Sequence, residues 1–341
     1  MLTIVGGVVM ILLGLESGGE LHPWSSAFVL CLTIFGAVAV FLFVLNEWKL
    51  AEHPLIPPRL FRAKSNIGAY GVVFIHGMIF ASGNYYLPLY FQKVLGASAL
   101  LSGVYLLPSV LSLSFATLFS GAFVRKTGRF RELIYIGVLF MSLGYGLLID
   151  LGPTKNLPKL IIYQLIVGFG SGLNIQSPLI ALQSHTKGYD VAVATSTYGF
   201  IRTLATSVSI VVGGTISQTE LVRQGAVLRQ ALGLDIAERI IGEGFGTNPE
   251  TLQHLSPQQR DTINEVYTSS LRTMWIFYAA LSACAFLPAL LIQKAELSDQ
   301  HKVVKTGVEE LKRIRLIELQ EKEEKKKARN GGTRAGNFSS A

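Results

Sequence analysis

The sequence predicts an all-α fold, a polytopic bundle of transmembrane helices. Half of the 341 residues are hydrophobic and only 15% are charged, with a mean hydropathy of +0.43, whereas a soluble domain carries about 25% charged residues. The charges are also segregated, which leaves repeated runs of roughly 20 apolar residues, each long enough to cross a bilayer. A helix is the open-chain element that satisfies its own backbone groups in lipid, so these runs are expected to be helices.

Eight apolar runs follow one another, and we expect eight spans. The first begins next to Met1 without a charged segment, and no small-residue cleavage site follows it, so a cleaved signal peptide is not expected. The predicted spans cover about residues 2–18, 26–46, 67–92, 97–123, 132–150, 158–183, 191–216 and 270–292.

The spans divide the chain into three regions. Residues 1–66 hold two linker helices and a cytoplasmic joint, and residues 67–293 hold a six-helix unit. Within that unit, residues 217–269 form a polar connection with helix-like stretches at TELVRQGAVLRQALG and SPQQRDTINEVY. Residues 294–341 mix acidic and basic side chains and end in Gly, Ser and Ala. This composition predicts a charged, partly helical and otherwise disordered tail that can touch anionic lipid.

Basic residues give the orientation of the spans. Twelve of the thirty Lys and Arg follow Gln293, and the joint between spans two and three holds several more. Since short positive loops stay cytoplasmic, both termini and the basic joints are expected in the cytosol, and residues 217–269 outside. We expect the plasma membrane, with the vacuolar membrane as the alternative. The same distribution accounts for the net charge of +8 without a nucleic-acid partner.

One cytoplasmic joint, GAFVRKTGRFRE, concentrates positive charge between spans four and five. It carries Arg125, Lys126, Arg129 and Arg131 between two runs that hold almost no charge. The rule that positive short loops stay in the cytosol explains the cluster in the first instance.

Arg202, in TYGFIRTLATSVSI, is the ionised side chain that lies far from both ends of its span. Placing arginine in mid-membrane costs about 2.5–3.5 kcal/mol even on the lenient insertion scale, so it is expected to face the bundle or a wet cavity. Two interpretations remain open. Arg202 contacts substrate or a coupling network, or it is tied to carbonyls and hydroxyls such as those of Thr203 and Ser207.

The sixth span, YQLIVGFGSGLNIQSPLIALQ, is rich in glycine and polar groups. Gly168 and Gly172 have the spacing that lets another helix approach closely. Asn174 and Gln176 bring amides into the bilayer, and Pro178 frees backbone carbonyls. A bent, closely packed helix beside a cavity is expected. Helix packing alone would also explain the glycines, although it explains the amides less well.

The third span places polar residues ahead of a helix-bending proline, Pro88. Tyr85 and Tyr86 lie near the outer interface, where aromatic belts are common, and substrate contact is the less favoured interpretation. His76 lies deeper; we favour a neutral, hydrogen-bonded ring over a proton carrier. The side chains that we select as candidates for a substrate cavity are Arg202, Asn174, Gln176, Asn84, Tyr85, His76 and Tyr198.

Carboxylates are absent from the middle of the predicted spans. Proton-driven carriers usually relay the proton on buried carboxylates, so such a relay would have to lie elsewhere. Cys31 and Cys284 fall within apolar runs and are interpreted as packing residues. No His, Cys or carboxylate group has metal-ligand spacing, and no nucleophile and base are paired, so neither a cofactor nor an enzymatic activity is expected.

These pieces resemble the major facilitator superfamily, in particular the fourteen-helix fungal drug:proton antiporter branch that includes toxin and multidrug efflux pumps. The most specific stretch is NYYLPLYFQKVLGASALLSGVYLLPSV. Three more stretches support it, namely FVLNEWKLAEHPLIPPRLF, GSGLNIQSPLIALQ and STYGFIRTLATSVSIVVGGTI. Counted against that family, the eight spans resemble helices seven to fourteen, which implies the C-terminal portion of a carrier without its first six helices.

The resemblance also gives the basic joint a second role. The superfamily has a cytoplasmic signature of Gly, an acid, a basic residue, Gly and further basic residues. Gly121, Lys126, Gly128, Arg129 and Arg131 fit its second-half copy, and Arg125 stands where the acid would be. The resemblance implies a gating joint that lacks one charged contact.

The function that the resemblance implies is proton-coupled export of small organic toxicants or secondary metabolites by alternating access. The expected partners are the substrate, protons and the lipid bilayer. Two alternatives stay open. The chain could be a same-fold carrier for basic amino acids or siderophores, or a non-transporting fragment that pairs with a full-length carrier.

Overall fold

The computed structural model describes residues 2–18, 22, 25–49, 56–186, 188–246 and 255–294, and these residues form an all-α fold. The predicted tail, 295–341, lies outside the described residues. Short 3-10 helices lie at Pro58–Phe61, Gly188–Asp190 and Gly244–Gly246. The α-helices are α1 (Leu2–Ser17), α2 (Ala27–Lys49), α3 (Lys64–Lys93), α4 (Ala99–Thr127), α5 (Arg131–Leu148), α6 (Leu157–His185), α7 (Val191–Arg223), α8 (Gly225–Leu232), α9 (Leu234–Glu243), α10 (Pro257–Cys284) and α11 (Phe286–Leu290).

Seven helical segments of the described chain are long and apolar enough to cross a membrane. They are α2 to α7 and the segment Pro257–Leu290, which combines α10 and α11. The prediction of an all-α, polytopic bundle is therefore confirmed. The first predicted span is also an apolar helix, α1, but its 16 residues measure only about 24 Å, less than the roughly 30 Å of a bilayer core.

Local sequence signals set where the helices begin and end. The side chains of Ser98, Asn156 and Ser256 each accept a hydrogen bond from a backbone N–H in the first turn of α4, α6 and α10. Gln259 completes a capping box at the start of α10, which satisfies two otherwise unpaired N–H groups. Gly128 ends α4 with φ of +71°, a left-handed conformation that favours glycine.

Helix α6 packs against both α4 and α5, and glycines bring these backbones together. A Cβ at Gly168 would collide with the Ser109 carbonyl oxygen of α4, and one at Gly172 would collide with the Leu113 carbonyl oxygen. Gly170, between them, faces α5. The three glycines therefore serve two neighbours, because successive positions point to different sides of a helix.

Helix α3 is the most enclosed of the spans, and large aromatic side chains surround it. Tyr86, Tyr145, Trp275 and Tyr278 are all buried in one core shared by α3, α5 and α10. The prolines predicted to bend helices, Pro88 and Pro178, lie inside α3 and α6.

The polar connection between α7 and α10 is folded. Helices α8 and α9 pack against each other, with Leu228 and Ile240 among their buried side chains, and α8 also contacts the start of α10, where Gln259 donates to the Ala231 carbonyl oxygen at 3.3 Å. Tyr267 of α10 donates a hydrogen bond to the Gly244 carbonyl oxygen at 3.0 Å. Both α7 and α10 continue beyond the apolar runs that predicted them, and together with α8 and α9 they form a small helical cap.

Candidate functional site

Two of the polar candidates, His76 and Arg202, lie close together on α3 and α7, beside α6. His76 of α3 is buried, with 1% of its surface exposed, and its Nε2 lies 3.0 Å from the Ser171 carbonyl oxygen of α6. Because a carbonyl oxygen only accepts, Nε2 carries the proton and donates it. His76 is thus placed as a hydrogen-bonded ring that joins α3 to α6.

Phe80, one turn after His76, forms an aromatic platform between His76 and Arg202. The His76 and Phe80 rings are stacked, with centroids 5.9 Å apart and planes 15° apart. The Arg202 guanidinium carbon lies 5.8 Å from the Phe80 centroid, within the range of a cation–π contact. Helix α7 therefore places the arginine against α3 in the middle of the bundle.

The Arg202 guanidinium has no hydrogen-bond acceptor among the residues that the structure describes. The two hydroxyls considered from the sequence bond within their own helix. Thr203 donates to the Gly199 carbonyl oxygen at 3.0 Å, and Ser207 donates to the Thr203 carbonyl oxygen at 3.2 Å. Arg202 is half-buried, so its charge is partly desolvated without a partner from either residue.

A cavity of about 200 Å³ has Phe80 among its lining residues. We call it the Phe80 cavity; α3, α4, α5 and α6 form it. Its polar lining includes Asn84, Ser109, Tyr145 and Ser171, and α4 adds aliphatic side chains. Asn84 donates to the Phe80 carbonyl oxygen at 2.7 Å, so its amide oxygen keeps its acceptor capacity for a ligand.

A second cavity of about 310 Å³ lies at the capped end of the bundle, between α3, α7 and the turn Gly244–Gly246. We call it the cap cavity. Tyr85 lines it together with Glu16 and Glu243. Glu243 accepts a hydrogen bond from Arg239 Nε at 2.9 Å. The candidate Tyr85 therefore belongs to this cavity and not to the cluster around Arg202.

The two amides predicted for a cavity lie elsewhere. Asn174 is buried between α5 and α6, against Gly137, with its Nδ2 3.5 Å from the Met141 sulfur. Its Oδ1 has no hydrogen-bond partner. Gln176 is exposed on α6. Neither amide lines the Phe80 cavity or the cap cavity.

Tyr198, the remaining candidate, lies one turn before Arg202 on α7. It is 4% exposed and packs in a cluster with Tyr70 and Val73 of α3. Its hydroxyl has no hydrogen-bond partner within the described part of the chain. A buried hydroxyl without a partner carries a cost of about 1–3 kcal/mol, which a ligand that accepts from it would remove.

The basic joint between α4 and α5 is exposed. Gly121, Arg125, Lys126 and Arg129 all face outward, and Gly128 provides the reversal of the chain. Arg131 is the exception: its Nε donates to the Tyr135 hydroxyl at 3.0 Å, and its guanidinium lies 5.3 Å from that ring centroid. No ion pair joins the cations of this joint to a carboxylate within the described ranges.

Sequence reasoning missed two parts of this region. The first is Phe80, although the spacing of His76, Phe80 and Asn84 puts all three on one face of a helix. The second is Ser209, whose hydroxyl donates to the Met78 carbonyl oxygen at 2.6 Å and whose carbonyl oxygen accepts from the Tyr278 hydroxyl at 2.6 Å. This bond set fastens α7 to α3 and α10, seven residues beyond Arg202.

Known proteins match the chain along most of its length. A family model described as the Major Facilitator Superfamily matches residues 1–210. The chain is 44% identical over 311 residues to "Efflux pump dotC" from Dothistroma septosporum, covering 91% of this chain and 53% of that protein. It is 39% identical over 325 residues to "MFS-type transporter ppz2" from Metarhizium majus, covering 95% and 56%. It is 33% identical over 258 residues to the "Aspyridones efflux protein" from Neocamarosporium betae, covering 76% and 45%.

A bundle with seven helical segments long and apolar enough to cross a membrane, together with these matches, defines an integral, multi-pass membrane protein of the transporter class. The chain belongs to the major facilitator superfamily, so the predicted resemblance to fungal efflux pumps is confirmed. The family and the names of these relatives point to a transporter rather than an enzyme. The chain spans about half the length of the curated relatives it matches.

Proposed function

We propose that this chain takes part in the export of small organic compounds, including secondary metabolites, by alternating access. The Phe80 cavity and the neighbouring Arg202 form the part of the substrate site that lies in this chain. The observation that carries the proposal is Arg202, a half-buried cation that has no hydrogen-bond acceptor among the described residues and lies against Phe80, a lining residue of the cavity. Intramembrane charges of this kind mark substrate or ion pathways, and relatives named as efflux pumps support the direction of transport.

The proposal includes coupling to protons by antiport. In the described spans, His76 is the deeply buried group whose ordinary pKa lies nearest to neutral pH. Its hydrogen bond to Ser171 joins two helices that line the Phe80 cavity. Protonation there would add a second positive charge beside Arg202 and would therefore change the electrostatics of the proposed site. The carboxylates of a relay would lie in another part of the carrier.

We further propose that the chain forms helices seven to fourteen of a fourteen-helix carrier, with residues 1–66 as linker, 67–293 as the C-terminal half and 294–341 as the tail. Both termini would face the cytosol, at the plasma membrane. The exposed cations Arg125, Lys126 and Arg129 support this orientation by the positive-inside rule. A first half, from a longer chain or a separate carrier, would complete the substrate site.

Flux measured in proteoliposomes tests the function. Vesicles that carry the 341-residue chain, alone and with a full-length relative, are loaded with aromatic test compounds, and efflux is followed with and without a pH gradient. We expect Arg202→Ala to lower the flux at least about 10-fold, since a lost charge-assisted contact is worth about 1.5–3 kcal/mol. Arg223→Ala, on the exposed end of the same helix, is the matched control and leaves the flux unchanged. Flux that is indifferent both to Arg202→Ala and to the pH gradient would falsify the proposal.

A further inference from the structure

The wall of the Phe80 cavity is mostly apolar and includes two aromatic rings. Phe80 of α3 and Tyr145 of α5 supply the rings. The aliphatic part of the wall consists of Leu106, Val110, Leu113 and Val167. A wall of this kind suits an aromatic ring, because aromatic side chains stack on such a ring or meet it edge to face.

Contacts between helices hold the Tyr145 ring in place. Tyr145 is fully buried, and its hydroxyl donates to the Ile79 carbonyl oxygen of α3. A Cβ at Gly83 would lie 2.5 Å from the Tyr145 hydroxyl oxygen, so the glycine allows α3 and this side chain to come close. Because the hydroxyl is already bonded within the protein, Tyr145 offers a ligand mainly its ring.

Ser171 of α6 gives the cavity a buried polar group. The residue lines the cavity and is only 3% exposed. Its carbonyl oxygen accepts from His76, but its hydroxyl makes no hydrogen bond within the part of the chain that the structure describes. Ser177 of the same helix, by contrast, donates to the Leu173 carbonyl oxygen one turn back. The Ser171 hydroxyl can therefore donate to a ligand or accept from it.

Close helix packing on both sides fixes the position of Ser171. A Cβ at the preceding residue, Gly170, would collide with the Met141 backbone nitrogen of α5. A Cβ at the following residue, Gly172, would collide with the Leu113 carbonyl oxygen of α4. The hydroxyl thus stands on a segment that is held between two neighbouring helices, and a polar group on a rigid element is well suited to recognition.

The volume of the cavity limits what it can hold. An apolar cavity of about 150 Å³ holds benzene, and the Phe80 cavity measures about 200 Å³. It therefore has room for one ring with a small substituent. Burying an ionised group among apolar side chains costs far more than burying a hydroxyl that finds a partner, so the group that enters with the ring should be neutral.

From this arrangement we infer that the Phe80 cavity binds one aromatic ring of the substrate, and that the Ser171 hydroxyl forms a hydrogen bond with a neutral hydroxyl or carbonyl group on that ring. The inference rests on the proposed function, because it names the substrate chemistry of the same cavity. It concerns the part of the substrate that enters this cavity, and the rest of the molecule extends out of it.

Ligand binding to the purified 341-residue chain in lipid nanodiscs tests the inference without requiring transport. Three probes share one ring and a fluorine reporter: 4-trifluoromethylphenol, 4-trifluoromethyltoluene and 4-trifluoromethylbenzoate. Fluorine NMR measures each affinity at a pH where the phenol is neutral and the benzoate is ionised, and empty nanodiscs correct for partition into lipid. We expect the phenol and the toluene to bind, and the benzoate to give no signal above that of empty nanodiscs.

Variants separate the ring contacts from the hydrogen bond. Val110→Phe should fill the cavity and abolish binding of both neutral probes, whereas Leu111→Phe, at the next residue but 65% exposed, should leave binding unchanged. Ser171→Ala should weaken the phenol about 2- to 10-fold, the range of one neutral hydrogen bond, and spare the toluene. Ser114→Ala, at an exposed serine of α4 that does not line the cavity, is the matched control.

Circular dichroism and elution volume check that each variant is folded. Ser171→Ala keeps the backbone carbonyl that accepts from His76, so it keeps the test valid if Val110→Phe misfolds. Three outcomes overturn the inference: equal effects of Val110→Phe and Leu111→Phe, equal effects of Ser171→Ala on phenol and toluene, or benzoate binding as tight as that of the phenol.

These outcomes are distinguishable from failure of the proposed function. A chain that binds the phenol through Ser171 but shows no flux contradicts export and leaves the ring site standing. Flux that falls in Arg202→Ala but does not respond to Val110→Phe contradicts the ring site alone.

Discussion

Helices α4 and α7 both leave most of their surface uncovered, yet the two exposed faces differ in chemistry. Helix α4 presents large apolar side chains, with Leu111 65%, Phe115 64% and Leu118 76% exposed. Helix α7 presents Gly199 and Thr203 over the corresponding stretch, with a single large apolar side chain between them, Phe200, that is 38% exposed. Exposure alone therefore says little about what a span faces. Lipid satisfies the α4 side chains, because acyl chains are as apolar as leucine.

The exposed hydroxyls of α7 do not by themselves show whether this helix faces lipid or a polar environment. Thr203 and Ser207 donate to carbonyl oxygens one turn back, and Thr206 donates to the Arg202 carbonyl oxygen at 3.0 Å. Such bonds satisfy the hydroxyl donor within the helix and allow it to meet lipid. The Arg202 guanidinium makes no such bond to a carbonyl oxygen of its own helix among the described residues. The difference between the exposed faces of α4 and α7 therefore depends on Arg202 and not on the hydroxyls of α7.

The largest expected effect comes from introducing a charge on the exposed face of α4 and comparing it with the same charge on α7. Leu111→Lys on α4 replaces a lipid-suited residue, and the insertion scale assigns lysine at mid-helix about 2.5–3.5 kcal/mol and leucine a slightly favourable value. We expect a loss of about 3 kcal/mol in insertion free energy, against a much smaller loss for Thr203→Lys. Glycosylation mapping of each helix in microsomes measures both. Equal losses would show that the two faces have the same surroundings.

Next in size is the buried side of α4. Gly168→Val should force α4 and α6 apart, because its new side chain meets the Ser109 carbonyl oxygen, and overpacking costs typically 1–3 kcal/mol. Gly103→Val on the open face of α4 is the control, since a Cβ there meets no atom within 4 Å. Thermal unfolding in detergent should show a lower midpoint for the first variant only. A drop of similar size in both would place the α4–α6 contact elsewhere.

A smaller effect is expected where the buried side of α7 is fastened. The Tyr278 hydroxyl donates to the Ser209 carbonyl oxygen at 2.6 Å, and removal of one such bond costs about 1 kcal/mol. Tyr278→Phe should therefore lower the unfolding midpoint slightly, while Tyr85→Phe, at a half-exposed ring, should not. If the two variants unfold alike, this bond does not hold α7 in place.

The smallest expected effect on stability comes from the turn between α5 and α6, which lies outside the exposed faces of α4 and α7. Lys159 Nζ lies 2.6 Å from the Asp150 carboxylate and the Tyr163 hydroxyl donates to it at 2.9 Å, and these bonds lower the pKa of Asp150. A carboxyl group whose pKa is lower in the folded state stabilises the fold at pH values above its unfolded pKa of about 3.9. This stabilisation is lost as the pH falls through the lowered pKa of the folded state. The unfolding midpoint should therefore drop slightly more on acidification in the native chain than in Asp150→Asn. If the unfolding midpoints of the native chain and of Asp150→Asn fall in parallel on acidification, the bonds of Asp150 do not contribute to the pH dependence of stability.

Much of the helical frame could be predicted, because hydropathy reports the stretch of chain that suits lipid. Hydropathy does not report where a helix ends. Helix α7 was predicted to stop near residue 216, and it continues to Arg223. Helix α8 lies within the predicted helix-like stretch TELVRQGAVLRQALG, whereas α9 was not predicted, because it is short and buries a single face. Their cap forms from contacts that only the fold provides.

The polar cluster shows the same limit. Arg202 stood out from the sequence because an ionised residue in mid-span is costly wherever it points. Phe80 did not, since a phenylalanine in a transmembrane run is ordinary. The bond from His76 to Ser171 joins residues 95 positions apart, and no local pattern encodes such a pairing. Asn174 was selected for its amide alone, and its side chain lies between α5 and α6.

Helix α7 is a continuous helix of 33 residues, about 50 Å long, and its Ser209 is hydrogen-bonded to Met78 of α3 and Tyr278 of α10. Arg202 lies seven residues to one side of that point. Gln218, nine residues to the other side, donates to the Ile241 carbonyl oxygen of α9 at 2.6 Å. A stiff rod that tilts about Ser209 swings these two ends in opposite directions by similar distances. A sideways displacement of Arg202 would therefore move the Gln218 end of α7, and with it α9, by a similar distance in the opposite direction.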